Sequence, residues 1–141
     1  KALISKMKKL LAKESYVVAL GVELFDTGKE LFVNELAPRV HNSGHYSQDA
    51  LSTSQFSLHL MAGLGKKLLP PQLLTKAFTM VNLIGEGNQT VSFPQHLTGA
   101  RHWYGKAENR KGRKLGHVNY LGADRKKLLK RALSERKGFS L

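Results

Sequence analysis

Two glutamates lie on either side of a predicted hairpin turn, at positions where a buried strand normally carries apolar side chains. Glu23 interrupts an apolar run over 16–25 that predicts a buried strand, and Glu35 lies near the end of a returning strand predicted over 30–36. Burying a carboxylate without a partner is costly. We therefore expect each glutamate to be paired or to face a cavity.

The length of the turn decides whether the two glutamates share a face of the hairpin. A three-residue loop over 27–29 puts Glu23 opposite Val33 and Glu35 opposite Gly21, a residue small enough to leave room for a ligand. The carboxylates are then diagonal neighbours on one face, roughly 7–8 Å apart at the backbone. Such a pair can bind Mg²⁺ together with phosphate oxygens. A two-residue loop separates them, and one exposed and one salt-bridged glutamate is the alternative interpretation.

A loop rich in amide and imidazole side chains follows the second glutamate. The chain reads Asn-Glu-Leu-Ala-Pro-Arg from Asn34 to Arg39 and His-Asn-Ser-Gly-His over 41–45. This block resembles the metal-binding strand and following loop of the N5-carboxyaminoimidazole ribonucleotide synthetases, a family of ATP-grasp enzymes. Ala37 departs from the wider superfamily, which often has an Asn metal ligand two residues after the second acid.

Three further blocks resemble the same family in the same order, so the resemblance covers roughly residues 16–122. They are Thr53-Ser54-Gln55-Phe56 with His59, then Met80 to Gly85, and a C-terminal signature formed by His102 to Lys106 with Gly112 to Asn119. The nearest rival family, the formate-dependent glycinamide ribonucleotide transformylases, has a Pro-Arg-Pro-His loop but does not usually carry Asn-Ser-Gly-His.

The resemblance implies an ATP-driven carboxylation in purine biosynthesis. Bicarbonate would be phosphorylated to carboxyphosphate, and the exocyclic amine of aminoimidazole ribonucleotide would then be carboxylated. The products would be N5-carboxyaminoimidazole ribonucleotide, ADP and phosphate. The implied cofactor is Mg²⁺ or Mn²⁺, with ATP as a co-substrate.

The resemblance also assigns roles residue by residue. Glu23 and Glu35 would bind the metal, and Asn34 and Glu35 would lie at the nucleotide. The residues expected in catalysis are Arg39, His41, Asn42 and His45. The residues expected to bind substrate are Arg39, Asn42, Ser43, Lys106 and Arg113, the last two at the 5′-phosphate of the ribonucleotide. For the two histidines, hydrogen bonding within the loop is the alternative interpretation.

Other elements must position these side chains. An amphipathic helix over 3–14 precedes the hairpin, Ser54 caps a second helix, and Pro70-Pro71 breaks the chain. Further strands are predicted over 76–84, 101–105 and 114–121, with turns between them. Asp124 caps a last helix that points Leu128, Leu129, Ala132 and Leu133 inward and ends before Gly138.

This order of elements predicts an α+β fold in two domains. Residues 1–69 would form the second half of an ATP-grasp domain, an antiparallel sheet with helices. Residues 70–141 would form a small, mainly-β C-terminal domain with a terminal helix. The chain lacks an initiator Met and opens in mid-helix, as a fragment would. Because the resemblance puts the adenine pocket and phosphate-binding lysines in the other half, we expect no ATPase activity from this chain alone.

The chain carries a formal net charge of +13, and residues 101–137 hold 13 of its 23 Lys and Arg. Such a segment binds anions or is simply solvated. A nucleic-acid-binding module is the alternative from another class, with Trp103 and Tyr104 as a stacking platform. Against it, the basic residues span two elements and no nucleic-acid motif appears. A non-catalytic protein that keeps half of an ATP-grasp fold is a further alternative.

Composition limits the other classes. There is no cysteine, which excludes disulfides and cysteine zinc sites. No apolar run approaches the ~18–20 residues of a membrane span. We expect a cytoplasmic protein without a nucleic-acid or membrane partner, whose ligands are ATP, bicarbonate and aminoimidazole ribonucleotide. The resemblance suggests a homodimer.

Overall fold

The computed structural model describes residues 2–87 and 93–137, and it confirms the α+β class of fold. The chain forms two compact units, one of Lys1–His45 with Thr53–Pro70 and the other of Tyr46–Ser52 with Pro71–Leu141. The domain boundary at residue 70 stays a prediction. None of the helices in the described ranges has both the length and the apolar character needed to span a bilayer.

The first unit contains two helices and a hairpin. Its elements are α1 (Ala2–Lys13), β1 (Gly21–Asp26), β2 (Leu31–Ala37), a 3₁₀ turn (Asn42–Gly44) and α3 (Gln55–Gly63). The short helix α2 (Ser47–Ala50), which precedes α3 in the chain, belongs to the second unit. The Ser54 side chain accepts the Ser57 N–H at 3.1 Å and so caps α3 as predicted. Leu10 and Leu11 of α1 line an apolar cavity of about 230 Å³ with Leu36 of β2.

The predicted pairing of the hairpin is wrong in detail. The loop has four residues, 27–30, because Asp26 and Leu31 form the last pair of the ladder, and the Thr27 N–H donates to the Glu30 carbonyl within the loop at 3.1 Å. Leu24 therefore pairs with Val33, and neither predicted partner of the glutamates is correct. A β-bulge then lets Asn34 protrude, and Glu23 pairs directly with Glu35. In an antiparallel ladder, opposed residues share a face, so the expected common face is retained by a different route.

Glu23 is also less enclosed than the sequence suggested. The strand begins at Gly21, five residues later than predicted, and its end is open to solvent, with Phe25 61% exposed. The Glu23 side chain itself is 40% exposed. The carboxylate is therefore partly solvated as well as paired.

The second unit is a three-stranded antiparallel sheet with a helix packed on it. The strands are β3 (Ala77–Ile84), β4 (Ala100–Trp103) and β5 (Lys114–Gly122), in the order β3-β5-β4, and the helix is α4 (Arg125–Lys137). The central strand β5 supplies three of the buried core residues, Leu115, Val118 and Tyr120, which are all at most 2% exposed. Leu83 of β3 completes the layer.

The last helix follows its predicted start and part of its predicted face. The Asp124 carboxylate accepts the N–H groups of Lys126 and Lys127 at 2.8 and 3.1 Å, which caps α4 as expected. Leu128 and Ala132 are buried. Leu129 and Leu133 are each 46% exposed, so the predicted inward face is narrower than four residues. The predicted end at Gly138 lies outside the described residues.

Candidate functional site

The two glutamates of the hairpin form the acidic part of the candidate site. The Glu23 carboxylate accepts the Asn34 side-chain amide at 3.2 Å and lies 3.3 Å from His41 Nε2. Glu35, which is 51% exposed, has Arg39 Nη2 at 4.0 Å. Like charges placed directly opposite each other destabilise a hairpin. The arrangement therefore favours a cation between the two carboxylates.

The donor set fits a divalent ion that arrives with other oxygen ligands. Within the two ranges the structure describes, no three His, Asp or Glu side chains are grouped as a metal site. Glu23 and Glu35 would thus supply two ligands, and phosphate or water oxygens the others, as is common for Mg²⁺. Ala37 is 3% exposed and supplies no side-chain ligand.

His41 is oriented toward Glu23 by its own loop. Its Nδ1 accepts the Ser43 N–H at 3.3 Å, and the Ser43 hydroxyl is 2.9 Å from the same atom. An Nδ1 that accepts from a backbone N–H carries no proton, so the ring proton is on Nε2 and points at Glu23. His41 therefore donates to the acidic pair in this arrangement.

Gln55 was not assigned a role from the sequence, yet it holds this loop. Its side-chain oxygen accepts the His41 N–H at 3.0 Å, and its amide donates to the His41 carbonyl at 2.8 Å. The same amide lies 2.6 Å from His45 Nδ1. A Cβ on Gly44 would meet the Gln55 side chain at 2.5 Å. In the sequence, Gln55 is recognisable only as the residue after the helix cap Ser54, and that position does not predict its contacts with the loop.

The sequence suggested that Gly21 leaves room for a ligand, and the structure shows that this expectation is wrong. A Cβ at this position would lie 2.7 Å from the Cβ of His41. The space above the strand is therefore filled by His41, and the glycine permits that close approach. Asn42 lies beside it in the loop, and its Oδ1 is buried with no hydrogen-bond partner among the described residues. That oxygen remains an acceptor for an incoming donor or cation.

The predicted phosphate-binding residues lie in the second unit, at the open end of β4 and β5. The Tyr104 N–H donates to the Leu115 carbonyl at 2.9 Å and so extends the ladder that pairs Trp103 with Gly116. Beyond this point Gly105 has φ +62°, so the chain turns out of the ladder before Lys106, and Arg113 directly precedes β5. A guanidinium and an ammonium can bind one phosphate together, the guanidinium as a planar fork and the ammonium as a point charge.

An acidic residue that the sequence gave no reason to single out faces this cluster. Glu108 Oε2 lies 2.8 Å from Arg110 Nε and 3.5 Å from Arg113 Nη1. Arg113 is 32% exposed and Glu108 63%, so the ion pair is open to water. The carboxylate lies where an anionic ligand of Arg113 would compete with it.

Comparison with known proteins identifies two families that match successive parts of the chain. The ATP-grasp domain family matches residues 2–56, and the phosphoribosylaminoimidazole carboxylase C-terminal domain family matches residues 79–131. The N5-carboxyaminoimidazole ribonucleotide synthase of Saccharolobus solfataricus is 42% identical over 115 residues, which are 82% of this chain and 31% of the relative. The chain thus spans about a third of that relative's length.

Solved structures give the same result. The Staphylococcus aureus N5-carboxyaminoimidazole synthetase complexed with ADP is 34% identical with a TM-score of 0.82, over 97% of this chain and 38% of the other. The Aspergillus clavatus N5-carboxyaminoimidazole synthase in complex with ADP and 5-aminoimidazole ribonucleotide is 25% identical with a TM-score of 0.67, over 84% and 34% of the two chains.

The first unit and its acidic hairpin therefore belong to the ATP-grasp class. The resemblance seen in the sequence is confirmed: the chain corresponds to the C-terminal portion of the N5-carboxyaminoimidazole ribonucleotide synthase family.

Proposed function

We propose that this chain is the C-terminal part of an ATP-dependent ligase that carboxylates 5-aminoimidazole ribonucleotide with bicarbonate. The observation that carries the proposal is the direct pairing of Glu23 with Glu35, followed by the loop of Arg39 and His41. The relatives' names support the substrate, and the complex of the Aspergillus clavatus protein contains both ADP and the ribonucleotide.

The acidic pair would bind Mg²⁺ or Mn²⁺. The bound metal would neutralise charge on the β- and γ-phosphates of ATP during phosphoryl transfer. Glu23 would be kept in place by Asn34 and by the Nε2 proton of His41. Asn34 and Glu35 would also lie at the nucleotide, since the bulge that lets Asn34 protrude is next to the acidic pair.

Arg39 and the loop after it would bind bicarbonate and the transferring phosphoryl group. The guanidinium is 60% exposed and 4.0 Å from Glu35, so it can offer paired N–H donors to an oxyanion beside the metal. Asn42, Ser43 and His45 would add polar contacts around the same anion. Lys106 and Arg113 would bind the 5′-phosphate of the ribonucleotide.

The activity of the whole enzyme can be tested in a chimaera. We would join this chain to the preceding two-thirds of the Saccharolobus solfataricus relative and measure ADP release. Release that requires both bicarbonate and aminoimidazole ribonucleotide is expected, whereas this chain by itself should release none. Release stimulated by glycinamide ribonucleotide and formate would contradict the proposal and favour the sister family.

Two substitutions separate the two proposed sites within the chimaera. Glu35→Gln should abolish ADP release and leave ribonucleotide affinity largely intact. Arg113→Ala should weaken ribonucleotide binding tenfold or more, since charge-assisted hydrogen bonds contribute roughly 1.5–3 kcal/mol. Glu30→Gln, on the exposed hairpin loop, is the matched control and should change neither. The same defect in both variants would show that the division of roles is wrong.

The remaining partners are also proposals. A homodimer should sediment at twice the monomer mass of the chimaera in analytical ultracentrifugation. A cytoplasmic location should be visible in cell fractionation.

A further inference from the structure

Lys106 is held against an aromatic ring rather than extended into solvent. Its Nζ lies 5.5 Å from the centroid of the Tyr104 ring. Gly105 between them has φ +62°, a conformation that side-chain-bearing residues rarely adopt, which lets the chain turn so that the lysine folds back over the tyrosine. A cation over the face of a tyrosine is attracted by the ring quadrupole.

Tyr104 is fixed in turn by the sheet and by a buried histidine. Its hydroxyl lies 2.8 Å from Nδ1 of His117, a residue that is 1% exposed. Its backbone N–H donates to the Leu115 carbonyl at 2.9 Å. Burial raises the pKa of the Tyr104 hydroxyl, so the ring stays neutral and the face under the lysine is that of a phenol.

The histidine belongs to a longer network that ends in a carboxylate. The His117 ring stacks on His102 with centroids 4.5 Å apart and planes 11° from parallel. His102 Nε2 lies 2.8 Å from Asp49 Oδ2, which also accepts the Asn119 amide at 2.6 Å. All of these groups lie in the second unit. Tyr104 is thus held at its hydroxyl by His117 and at its backbone by Leu115.

We propose that Tyr104 and His117 are positioning residues that hold Lys106 ready for the ribonucleotide phosphate. The inference rests on the proposed phosphate contact of Lys106. A free lysine side chain loses rotamer freedom when it binds a ligand, and a side chain ordered beforehand loses less. Tyr104 therefore acts on affinity through Lys106 and does not touch the phosphate itself.

A double-mutant cycle on the 141-residue chain separates positioning from simple packing. The probe is aminoimidazole ribonucleotide, with its Kd measured by ¹⁵N–¹H NMR titration. Tyr104→Leu should weaken binding about two- to five-fold, the size of one exposed cation–π contact. In the Lys106→Ala background the same change should have no effect. Tyr104→Phe keeps the ring but loses the hydroxyl, and should lie between the unaltered chain and Tyr104→Leu.

A matched control removes a similar cation–π pair from the same unit. Arg101 lies 5.2 Å from the centroid of the Phe93 ring, so Phe93→Leu deletes a cation–π contact without touching Lys106. It should leave the Kd unchanged. The contact can also be measured without ligand, from the NMR chemical shifts of the Lys106 methylene protons. The ring current of Tyr104 should move these shifts upfield, and Tyr104→Leu should return them to the values of a solvent-exposed lysine.

The outcomes distinguish the two proposals. If Lys106→Ala weakens binding but Tyr104→Leu weakens it equally in both backgrounds, positioning is refuted and the phosphate site stands. If the chain alone binds the ribonucleotide too weakly to titrate, the same cycle is measured in the chimaera. If Lys106→Ala has no effect on the Kd there or in the chain, the phosphate site is refuted and the positioning role with it. Should Tyr104→Leu unfold the second unit, the cycle with Tyr104→Phe decides in the same way.

Discussion

Acid stability of the second unit should depend on one glutamate of the last helix. Glu135 accepts the Thr98 N–H at 2.9 Å and its hydroxyl at 2.6 Å, the Tyr120 hydroxyl at 2.9 Å and Arg131 Nε at 3.0 Å. Burial raises the pKa of this carboxyl, but the hydrogen bonds from Thr98, Tyr120 and Arg131 outweigh it and lower the pKa from 4.5 to about 2.

The size of the effect follows from linkage between protonation and folding. A lowering of this size corresponds to about 3 kcal/mol at ~1.36 kcal/mol per pKa unit. The side chain is 17% exposed and is paired with a half-exposed arginine, so solvent screening reduces the figure, and we expect about 2 kcal/mol. Because the folded-state pKa is lowered, this stability is present above pH 4.5 and is lost as the pH falls toward 2.

Urea unfolding between pH 7 and pH 2.5, followed by the fluorescence of Trp103, measures this dependence. That residue is the chain's single tryptophan and packs against the core of the second unit. Glu135→Gln should lower the free energy of unfolding at pH 7 by about 2 kcal/mol and flatten its fall below pH 4.5. Glu86→Gln, at an exposed glutamate of the same unit, is the control. Parallel pH curves for Glu135→Gln and the unaltered chain would refute the reasoning.

Two further predictions concern the candidate sites. Gly21→Ala should destabilise the first unit by about 1–3 kcal/mol in thermal unfolding and reduce ADP release by the chimaera, because the new methyl group collides with His41. Gly63→Ala is the control and should change neither quantity, because its Cβ would lie 3.7 Å from the nearest atom, in Val18. Glu108→Gln should tighten ribonucleotide binding by the chimaera about two-fold, as measured by calorimetry, because Glu108 competes with the ligand for Arg113 and an exposed ion pair contributes at most about 1 kcal/mol. Weaker binding would mean that Glu108 orients the arginine instead.

The sequence predicted the strands of the second unit and the start of its last helix closely, because these patterns depend on local chemistry, but it did not predict the short helix α2. Strands expected over 76–84 and 114–121 are observed as Ala77–Ile84 and Lys114–Gly122. The cap at Asp124 follows from the preference of short acidic side chains for the first N–H groups of a helix. Strand alternation and helix caps can be predicted from neighbouring residues alone, without knowing which distant residues they contact.

Contacts between distant residues could not be read in the same way. Nothing in the spacing of Gln55 and His41 shows that one side chain would make two hydrogen bonds to the other's backbone. The segment Tyr46–Ser52 joins the second unit through Asp49, which meets His102 and Asn119 more than 50 residues later in the chain. These pairs are fixed by tertiary packing, which leaves no periodic signal.

The hairpin shows where pattern reasoning reaches its limit. Alternation along a strand tells which residues share a face only when the loop length and the number of bulges are both known. The prediction was wrong about both, with three loop residues instead of four and no bulge at Asn34. Each error shifts the register by one residue in the same direction, so at Glu23 and Glu35 they add up to a shift of two residues, which changes the partners but keeps the face. The shared face was therefore predicted correctly for an incorrect reason, and only the structure reveals that the bulge is what brings the carboxylates together and places Asn34 against Glu23.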